Sequence, residues 1–277
     1  MKRKILQNAD MVPFGDAKFT KTEEGKTLLL LFAPYRPANG KTKAGITRIS
    51  PYYPVSQQAH LAAKELIEAL EKKGIGAQLY HKNGLKKLAV KTCGFIGRNT
   101  LFYHPQFGSF TAIQGIELDV DMEEDSNPGS SGCAGCNACV KVCPTNAVQS
   151  DGFLREQCIR HHSNQPEIPS QFGQYIYQLM GCERCQGCCP ANKSLPEKNP
   201  PVYEFDLIEV LEEKHTKDIK KLIGANYATR TRILNQAIFY VLNTRYMPAL
   251  PVIAALREDK QVGSAAAYVY KVLASQV

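Results

Sequence analysis

The residues best suited to chemistry are four cysteines in the stretch CAGCNACVKVCP, which follow the spacing C-x2-C-x2-C-x3-C-P. Two-residue gaps let successive sulfurs hold one cluster while the backbone wraps around it. In bacterial proteins this run holds [4Fe-4S] clusters, and its fourth cysteine ligates a second cluster. The pattern therefore favours iron–sulfur over zinc, whose ribbons bring two separated C-x2-C pairs, and over a disulfide framework.

A second cluster needs three more thiols, and the downstream stretch CERCQGCCP together with a lone cysteine supplies them. The predicted ligands of cluster 1 are Cys133, Cys136, Cys139 and Cys189, and those of cluster 2 are Cys143, Cys158, Cys182 and Cys185. Cys188 is an alternative to Cys189, which we prefer because a proline follows it, as in the first run. Cys93 remains, and a lone cysteine of this kind is typically a small buried hydrophobic residue.

Composition limits the class of protein that carries these thiols. Hydrophobic residues make up 44% of the 277 residues and charged residues 22%, which indicates a globular chain. The longest apolar run, LLLLFA, is too short to span a bilayer, and the basic N-terminus lacks the apolar core of a signal peptide. We therefore expect a cytoplasmic protein without membrane contact, in which clustered thiols bind metal.

The elements that must position the thiols can be read from hydrophobic patterns. TLLLLFA predicts a buried strand, VSQQAHLAAKELIEALEKKG an amphipathic helix, and IGAQLY and FTAIQGIELDV two further strands. An acidic, turn-rich stretch follows, whose acids from Glu117 to Asp125 we expect to solubilise a loop. The stretch KSLPEKNPPVY reads as a linker, and beyond it apolar stripes predict helices around residues 233–242, 250–256 and 265–273.

These patterns predict an α+β multidomain protein. Residues 1–120 form an α/β domain, residues 121–201 a dicluster ferredoxin-like domain, and residues 202–277 a helical domain.

The order of the cysteines resembles that of the epoxyqueuosine reductases, a family of cobalamin-dependent enzymes with two [4Fe-4S] clusters that act on the wobble base of certain tRNAs. The stretch CGFIGRNTLFYHPQFGSF is similar to the segment that precedes the cluster domain in that family, and GKTLLLLFAPYRP to its early strand. The C-terminal stretch RILNQAIFYVLNTRYMPALPVIAAL resembles its HEAT-type helical repeat. The resemblance covers most of the chain from about Gly25.

The resemblance implies a corrinoid bound between the α/β domain and the cluster domain. The predicted corrinoid contacts are Gly94, Phe95, Ile96, Gly97, Arg98, Asn99 and Thr100. Glycines permit close backbone approach, although a tight turn is an alternative reason for them.

The family also uses an aspartate as proton donor upstream of this segment. Here the corresponding stretch has no acid, and Gln78 falls near the expected place. Tyr80 or His81 could donate the proton instead, or the substrate differs from that of the family.

The last part of the chain is strongly basic. From Lys214 onward there are ten lysines and arginines against three acids, so this segment carries most of the net charge of +8. A basic helical segment fits contacts with RNA phosphates, and a solvated basic surface is the alternative.

We therefore predict an iron–sulfur oxidoreductase with a corrinoid, with tRNA as a possible partner and a ferredoxin or flavodoxin as electron donor. A dicluster electron carrier without a corrinoid is the alternative, because two clusters by themselves only relay electrons.

Overall fold

The computed structural model describes residues 13–37, 42–127, 132–133, 135–193 and 201–275. The chain divides into two compact units, each assembled from several stretches. Unit 1 comprises Met1–Arg36, Pro54–Cys139 and Cys185–Lys198, and unit 2 comprises Pro37–Tyr53, Val140–Arg184 and Asn199–Val277. The sequence prediction divided the chain into three consecutive domains, and that division stays a prediction.

Eight strands and twelve α-helices occur within the described residues. The strands are β1 (Asp16–Lys21), β2 (Thr27–Pro34), β3 (Ile46–Arg48), β4 (Ala77–Leu79), β5 (Phe95–Ile96), β6 (Phe102–Tyr103), β7 (Thr111–Leu118) and β8 (Glu204–Asp206). The helices are α1 (Tyr52–Glu71), α2 (Leu85–Thr92), α3 (Ala138–Val142), α4 (Ile159–Ser163), α5 (Ser170–Gly173), α6 (Arg184–Gly187), α7 (Pro190–Lys193), α8 (Leu207–Leu211), α9 (Thr216–Ile223), α10 (Arg230–Thr244), α11 (Leu250–Leu256) and α12 (Gly263–Ala274).

Unit 1 is built on a four-stranded antiparallel sheet with the order β1-β2-β7-β4. Every residue of β2 from Thr27 to Ala33 is buried, so the predicted buried strand is confirmed. One face of β2 presents three large side chains that pack against α2, Cys93 and β6. Burial of such side chains is worth about 1.5–3 kcal/mol each and makes this face the core beneath the candidate site.

Cys93 belongs to the same core and is buried, which confirms its interpretation as a small hydrophobic residue. Burial raises the pKa of its thiol, so this cysteine stays protonated and unreactive.

The prediction that the acids from Glu117 to Asp125 solubilise a loop holds for the exposed Asp119, Asp121 and Glu123, but it was wrong for Glu117, Glu124 and Asp125. Glu117 lies within β7 and is buried. Asp125 pairs with the outer edge of β1, because its carboxylate accepts the N–H of Phe19 at 2.7 Å and its own N–H donates to the Phe19 carbonyl at 2.8 Å. Glu124 accepts the N–H of Lys21 at 3.0 Å. These carboxylates satisfy backbone donors that an edge strand would otherwise leave unpaired.

Unit 2 has a helical core with one short antiparallel ribbon, in which β3 pairs with β8. The predicted stripe of residues 233–242 lies on α10, and its members from Ile233 to Val241 are buried. The two following predicted helices are α11 and α12. Within the described residues, no helix is both long enough and apolar enough to cross a bilayer.

Some elements differ from the sequence expectations. The predicted strand in IGAQLY is only Ala77–Leu79, and the stretch after it contains the helix α2, which was not predicted. The strand β1 was not predicted either. Residues 194–200 of the predicted linker and residues 128–131 of the predicted acidic boundary lie outside the described residues.

Candidate metal centre

Unit 1 contains the four predicted ligands of cluster 1 and the alternative ligand Cys188, which come from two stretches of the chain. Cys133 and Cys136 are exposed, and Cys139, Cys188 and Cys189 are half-buried. Burial raises the pKa of the Cys188 thiol, and the proximity of Cys139, Cys189 and Cys136 raises it further. Three of the four predicted ligands of cluster 1 therefore lie close to the alternative ligand Cys188.

Backbone N–H groups already point at one of these sulfurs. The N–H groups of Arg98 and then Gly135 donate hydrogen bonds to Cys133, and with the Arg98 guanidinium they hold the pKa of this thiol below its usual value. Arg98 also donates a hydrogen bond to the Asn137 side chain. A thiolate bound to iron accepts such hydrogen bonds, so the donor set fits an iron–sulfur cluster.

The predicted corrinoid-contact segment forms a hairpin, in which β5 pairs with β6. The Gly97 N–H donates to the Leu101 carbonyl at 2.9 Å and closes the turn. Gly94 has φ +67°, and a Cβ there would lie 2.1 Å from the Tyr103 carbonyl oxygen. A Cβ on Gly97 would lie 2.6 Å from the Tyr103 ring. Both glycines are therefore required by packing inside the hairpin, as the tight-turn alternative expected.

The hairpin connects to the second cysteine stretch through Tyr103 and Asn99, which are both buried. Burial raises the pKa of Tyr103, and the neighbouring Cys189 thiol raises it further. The Asn99 amide donates to the Tyr103 hydroxyl at 3.0 Å and to the Cys185 carbonyl at 3.5 Å. Sequence patterns did not single out Tyr103, because its partner is distant in the chain.

A buried amide network holds the loop that carries Cys185 and Cys189. Gln186 donates to the Tyr35 hydroxyl at 3.0 Å and to the Ser109 carbonyl at 2.9 Å. Asn192 accepts the Ser109 N–H at 2.9 Å and donates to the Gln186 carbonyl at 2.8 Å. The Gly-Ser-Phe turn before β7 therefore anchors the loop of the last cysteines.

Unit 2 contains a second group of thiols, formed by Cys143, Cys158 and Cys182. Burial raises the pKa of Cys182, and Cys158 and Cys143 raise it further because they lie nearby. The N–H and the guanidinium of Arg184 act in the opposite direction. Cys185, the remaining predicted ligand of cluster 2, follows Arg184 directly in the chain and is the first residue of a stretch grouped with unit 1.

Cys143, like Cys133, has several hydrogen-bond donors beside its sulfur. Burial alone would raise its pKa, but the N–H groups of Val148, Thr145 and Ala147 and the Thr145 hydroxyl outweigh burial and lower it. The Thr145 hydroxyl lies 3.6 Å from the sulfur. Each of the two thiol groups therefore contains a sulfur that has hydrogen-bond donors of the protein beside it.

Within the described part of the chain, no three cysteine, histidine, aspartate or glutamate side chains converge closely enough to hold a single metal ion. The cysteine sulfurs that bind a cubane cluster need not lie as close together as the ligands of a single metal ion, because each of the four cysteines binds a different iron at a different corner. The grouped but separated thiols are consistent with that geometry.

The predicted proton donors lie near the end of β4. Tyr80 is half-buried against the core under the hairpin, and His81 is exposed. Gln78 donates its amide to Glu117 at 3.0 Å, and Lys26 donates to the same carboxylate oxygen at 2.7 Å. Gln78, Glu117 and Lys26 line a cleft of about 580 Å³ in unit 1, and the lining residues do not include Tyr80 or His81. A carboxylate therefore does lie beside Gln78, contributed by the neighbouring strand.

Comparison with known proteins agrees with this description of the thiols. Residues 132–192 match the family described as a 4Fe-4S double cluster binding domain. The chain is 26% identical over 178 residues to the epoxyqueuosine reductase of Lactococcus garvieae, which covers 60% of this chain and 50% of the relative. The chain spans about half the length of several curated relatives that it matches.

The fold resembles solved structures over almost the whole chain. The epoxyqueuosine reductase of Streptococcus thermophilus superposes with a TM-score of 0.81 at 17% identity, covering 99% of this chain and 90% of that one. An epoxyqueuosine reductase solved with an epoxyqueuosine-modified tRNA-Tyr stem loop superposes with a TM-score of 0.77 at 17% identity, covering 98% and 90%. This chain therefore carries a double [4Fe-4S] cluster-binding domain within a mixed α/β fold, and its resemblance to the epoxyqueuosine reductase family is confirmed.

Proposed function

We propose that this chain is an iron–sulfur oxidoreductase of the epoxyqueuosine reductase type, in which two [4Fe-4S] clusters pass single electrons to a corrinoid-dependent reduction. The observation that carries the proposal is the pair of thiol groups, each with protein donors on a sulfur, inside a double cluster-binding domain. We assign cluster 1 to Cys133, Cys136, Cys139 and Cys189, and cluster 2 to Cys143, Cys158, Cys182 and Cys185.

A bound corrinoid would supply the two-electron chemistry that a one-electron relay lacks. We propose that the hairpin of residues 94–100 contacts it, although its glycines pack inward. The outward group that fits an apolar macrocycle is Ile96, whose side chain is 40% exposed. Arg98 is already engaged by Asn137, so its role towards a corrinoid is secondary to its role beside Cys133.

Proton donation in this chain differs from that implied by the family. The hydrogen bond from Lys26, together with that from Gln78, holds the pKa of Glu117 below its usual value. Glu117 is therefore ionised at neutral pH and cannot act as an acid. Tyr80 and His81 remain our candidates for the proton donor, with Tyr80 closer to the core and His81 open to solvent.

We propose tRNA as the substrate-bearing partner, by analogy with the tRNA stem loop bound to a structural relative. The support within this chain is the exposed basic side of α9, which carries Lys217, Lys220 and Lys221. Arg230, one of the ten basic residues of this segment, is already held in ion pairs with Glu213 and Asp259.

The C-terminal helices and an external electron donor complete the proposed enzyme. The packed helices α10, α11 and α12 support a HEAT-type C-terminal domain after residue 201. A ferredoxin or flavodoxin would deliver the electrons.

The test is anaerobic reconstitution of the iron-loaded chain with cobalamin, followed by absorbance and titration calorimetry. We expect binding, and we expect Ile96→Asp to weaken it more than tenfold with iron content unchanged. Leu61→Asp is the matched control, because Leu61 is an exposed apolar residue of α1 in the same unit. No uptake by the folded, iron-loaded chain would replace the enzyme proposal with that of a dicluster electron carrier.

A second measurement concerns the substrate. Turnover on tRNA that contains epoxyqueuosine would identify the reaction of the family. Corrinoid binding without such turnover would indicate a reductase with a different substrate, which the replacement of the family aspartate by Gln78 favours.

A further inference from the structure

Arg184 is a half-buried cation to which the proposed electron relay gives no role. It lies between two proposed ligands of cluster 2, two residues after Cys182 and directly before Cys185. Its Nη1 atom is buried and has no hydrogen-bond partner among the described residues. A buried guanidinium nitrogen without a partner costs free energy, so its position indicates that a negatively charged group belongs beside it.

Tyr177 fixes the position of this guanidinium. The guanidinium carbon of Arg184 lies over the Tyr177 ring, 4.5 Å from its centroid, which is the geometry of a cation–π contact. The Tyr177 hydroxyl accepts the backbone N–H of Glu183 at 2.7 Å. This N–H belongs to the peptide bond that directly follows Cys182, so the stacked pair is held against the backbone of a proposed ligand. All four residues belong to unit 2.

The acid that is nearest to Arg184 in the chain has a different partner. Glu183 is 8% exposed, and its carboxylate accepts the Ser50 hydroxyl at 2.7 Å. The negative group that the cysteine spacing brings beside Arg184 is the proposed cluster itself. In agreement, burial raises the pKa of Cys182, and the N–H and the guanidinium of Arg184 act against that rise.

We propose, on the basis of the proposed function and its ligand assignment, that Arg184 raises the reduction potential of cluster 2 through its positive charge. Reduction transfers one electron from the external donor to the cluster and increases the negative charge on its sulfurs. A cation held beside a ligand therefore stabilises the reduced form more than the oxidised form, and burial limits the screening of this interaction by water and salt. Arginine keeps its proton in proteins, so no proton is transferred in the step.

The test is a potentiometric titration of the reconstituted full chain, with dithionite as reductant and electron paramagnetic resonance as the readout for both clusters. Arg184→Gln removes the charge and keeps a polar side chain. We expect the reduction equilibrium of cluster 2 to become about tenfold less favourable, which is about 59 mV for a one-electron couple. Arg184→Lys keeps the charge and should restore most of the potential. The other cluster and the iron content should not change.

Arg257→Gln is the matched control. Arg257 also lies over a tyrosine ring, 4.4 Å from the centroid of Tyr270, and it belongs to the same unit. It is exposed and distant in the chain from every cysteine, so its loss should leave both potentials unchanged. Equal shifts in Arg184→Gln and Arg257→Gln would overturn the proposal, because the net charge of the chain would then set the potential.

Tyr177→Leu provides an independent test, including the case in which Arg184→Gln fails to assemble its clusters. It keeps the arginine but removes the ring that holds the guanidinium, so the charge can turn towards water. Reduction of cluster 2 should become about threefold less favourable, because exposed charges are screened by solvent. Tyr177→Phe keeps the ring and should change the potential less. Unchanged potentials in Arg184→Gln, or in Tyr177→Leu if the Gln variant does not assemble, would overturn the proposal.

Cys182→Ser separates failure of the ligand assignment from failure of this inference. It should lose one cluster, and the resonance signal that disappears belongs to cluster 2. If Cys182→Ser keeps both clusters, the assignment fails and the inference fails with it. If that variant loses one cluster while Arg184→Gln leaves the potential of that cluster unchanged, only the inference is wrong.

Discussion

Cys188 and Cys189 are neighbours in the chain, yet their surroundings differ. The Cys188 thiol donates to the Cys185 carbonyl at 3.6 Å, whereas Cys189 lies beside the buried hydroxyl of Tyr103. A thiol that donates to a carbonyl keeps its proton, whereas a cluster ligand must bind iron as a thiolate. This difference supports Cys189 as the ligand, in agreement with the proline that follows it.

We expect Cys188→Ser to retain about eight irons per chain and Cys189→Ser to retain about four. Iron analysis and the visible absorbance of anaerobically reconstituted protein measure both. The two substitutions are matched in chemistry and position, so each serves as the control for the other. The reverse result would exchange the roles of the two cysteines.

At this scale, the sequence predicted the cysteines and missed their donors. Ligand spacing is local, so a short stretch of sequence contains it. Tyr103, Ser109 and Gln186 act through residues far away in the chain, and their side chains carry no pattern of their own. The count of basic residues had a similar weakness, because it included Arg230, whose guanidinium is already held by two carboxylates.

The Arg230 ion pairs predict a pH dependence. Hydrogen bonds from Arg230, and then from the Gln261 N–H, lower the pKa of Asp259 from 3.8 to about 2. Because the pKa of Asp259 is lower in the folded state than in the unfolded state, its ionised carboxylate stabilises the fold when the pH is above the unfolded pKa. This contribution is lost as the pH falls from about 4 to about 2. Because the pair is partly exposed to solvent, we expect Asp259→Asn to cost about 1 kcal/mol of unfolding free energy at pH 7.

Urea denaturation followed by circular dichroism checks this prediction. The difference in unfolding free energy between the unchanged chain and Asp259→Asn should disappear as the pH falls towards about 2. Cluster loss in acid affects both proteins equally. Glu258→Gln is the control, because Glu258 is an exposed acid next to Asp259 in the chain and belongs to the same unit. A difference that persists unchanged at low pH would show that Asp259 acts through its shape and not its charge.

At the scale of elements, the hairpin of β5 and β6 is the feature whose role in the structure differs from the role that the sequence predicted. Its glycines suggested a surface that a cofactor can approach closely, whereas in the structure they allow β5 and the turn to pack closely against Tyr103 of β6. Glycine alone cannot distinguish these causes, because both require a missing Cβ. Long apolar stripes such as that of α10 were predicted well, since packing against a core repeats along the helix. The helix α2 was missed because lysines occupy much of its surface.

Gly94→Ala should destabilise the chain by about 3 kcal/mol, because it adds a steric overlap to an unfavourable φ. Gly74→Ala is the matched control: Gly74 also has a positive φ, of +75°, but a Cβ there meets nothing within 4 Å. We expect it to cost about 1 kcal/mol. Midpoints of urea unfolding measure both. Equal losses would mean that the overlap with Tyr103 is relieved by a small shift of the hairpin.

At the scale of the whole molecule, the two main features are the distribution of charge along the chain and the grouping of distant stretches into two units. Most of the net charge lies after Lys214, and α9 displays it on exposed side chains. Bound lysines release counterions from RNA, so binding by this surface must weaken steeply with salt. Composition predicted this charge, but the grouping of distant stretches into two units depends on tertiary contacts that no local pattern records.

Lys220→Glu with Lys221→Glu should lower the affinity for tRNA of any sequence at least tenfold at low salt and reduce its salt dependence. Lys72→Glu with Lys73→Glu is the matched control, because these residues are also adjacent and exposed but lie in unit 1. Fluorescence anisotropy with labelled tRNA measures the affinities. Equal losses in the two double variants would indicate a general charge effect and not a binding surface.

The path of the chain also has a consequence for how the protein is made. All four strands of the unit 1 sheet are encoded before residue 119, whereas the first thiol of the double cluster domain is Cys133 and the last proposed ligand is Cys189. Domains generally fold as units while the ribosome is still adding residues. The sheet can therefore form without iron, and the cysteine stretches join it afterwards. Under iron starvation we expect a chain with a protease-resistant sheet and alkylatable cysteines, held ready for cluster delivery after translation has ended.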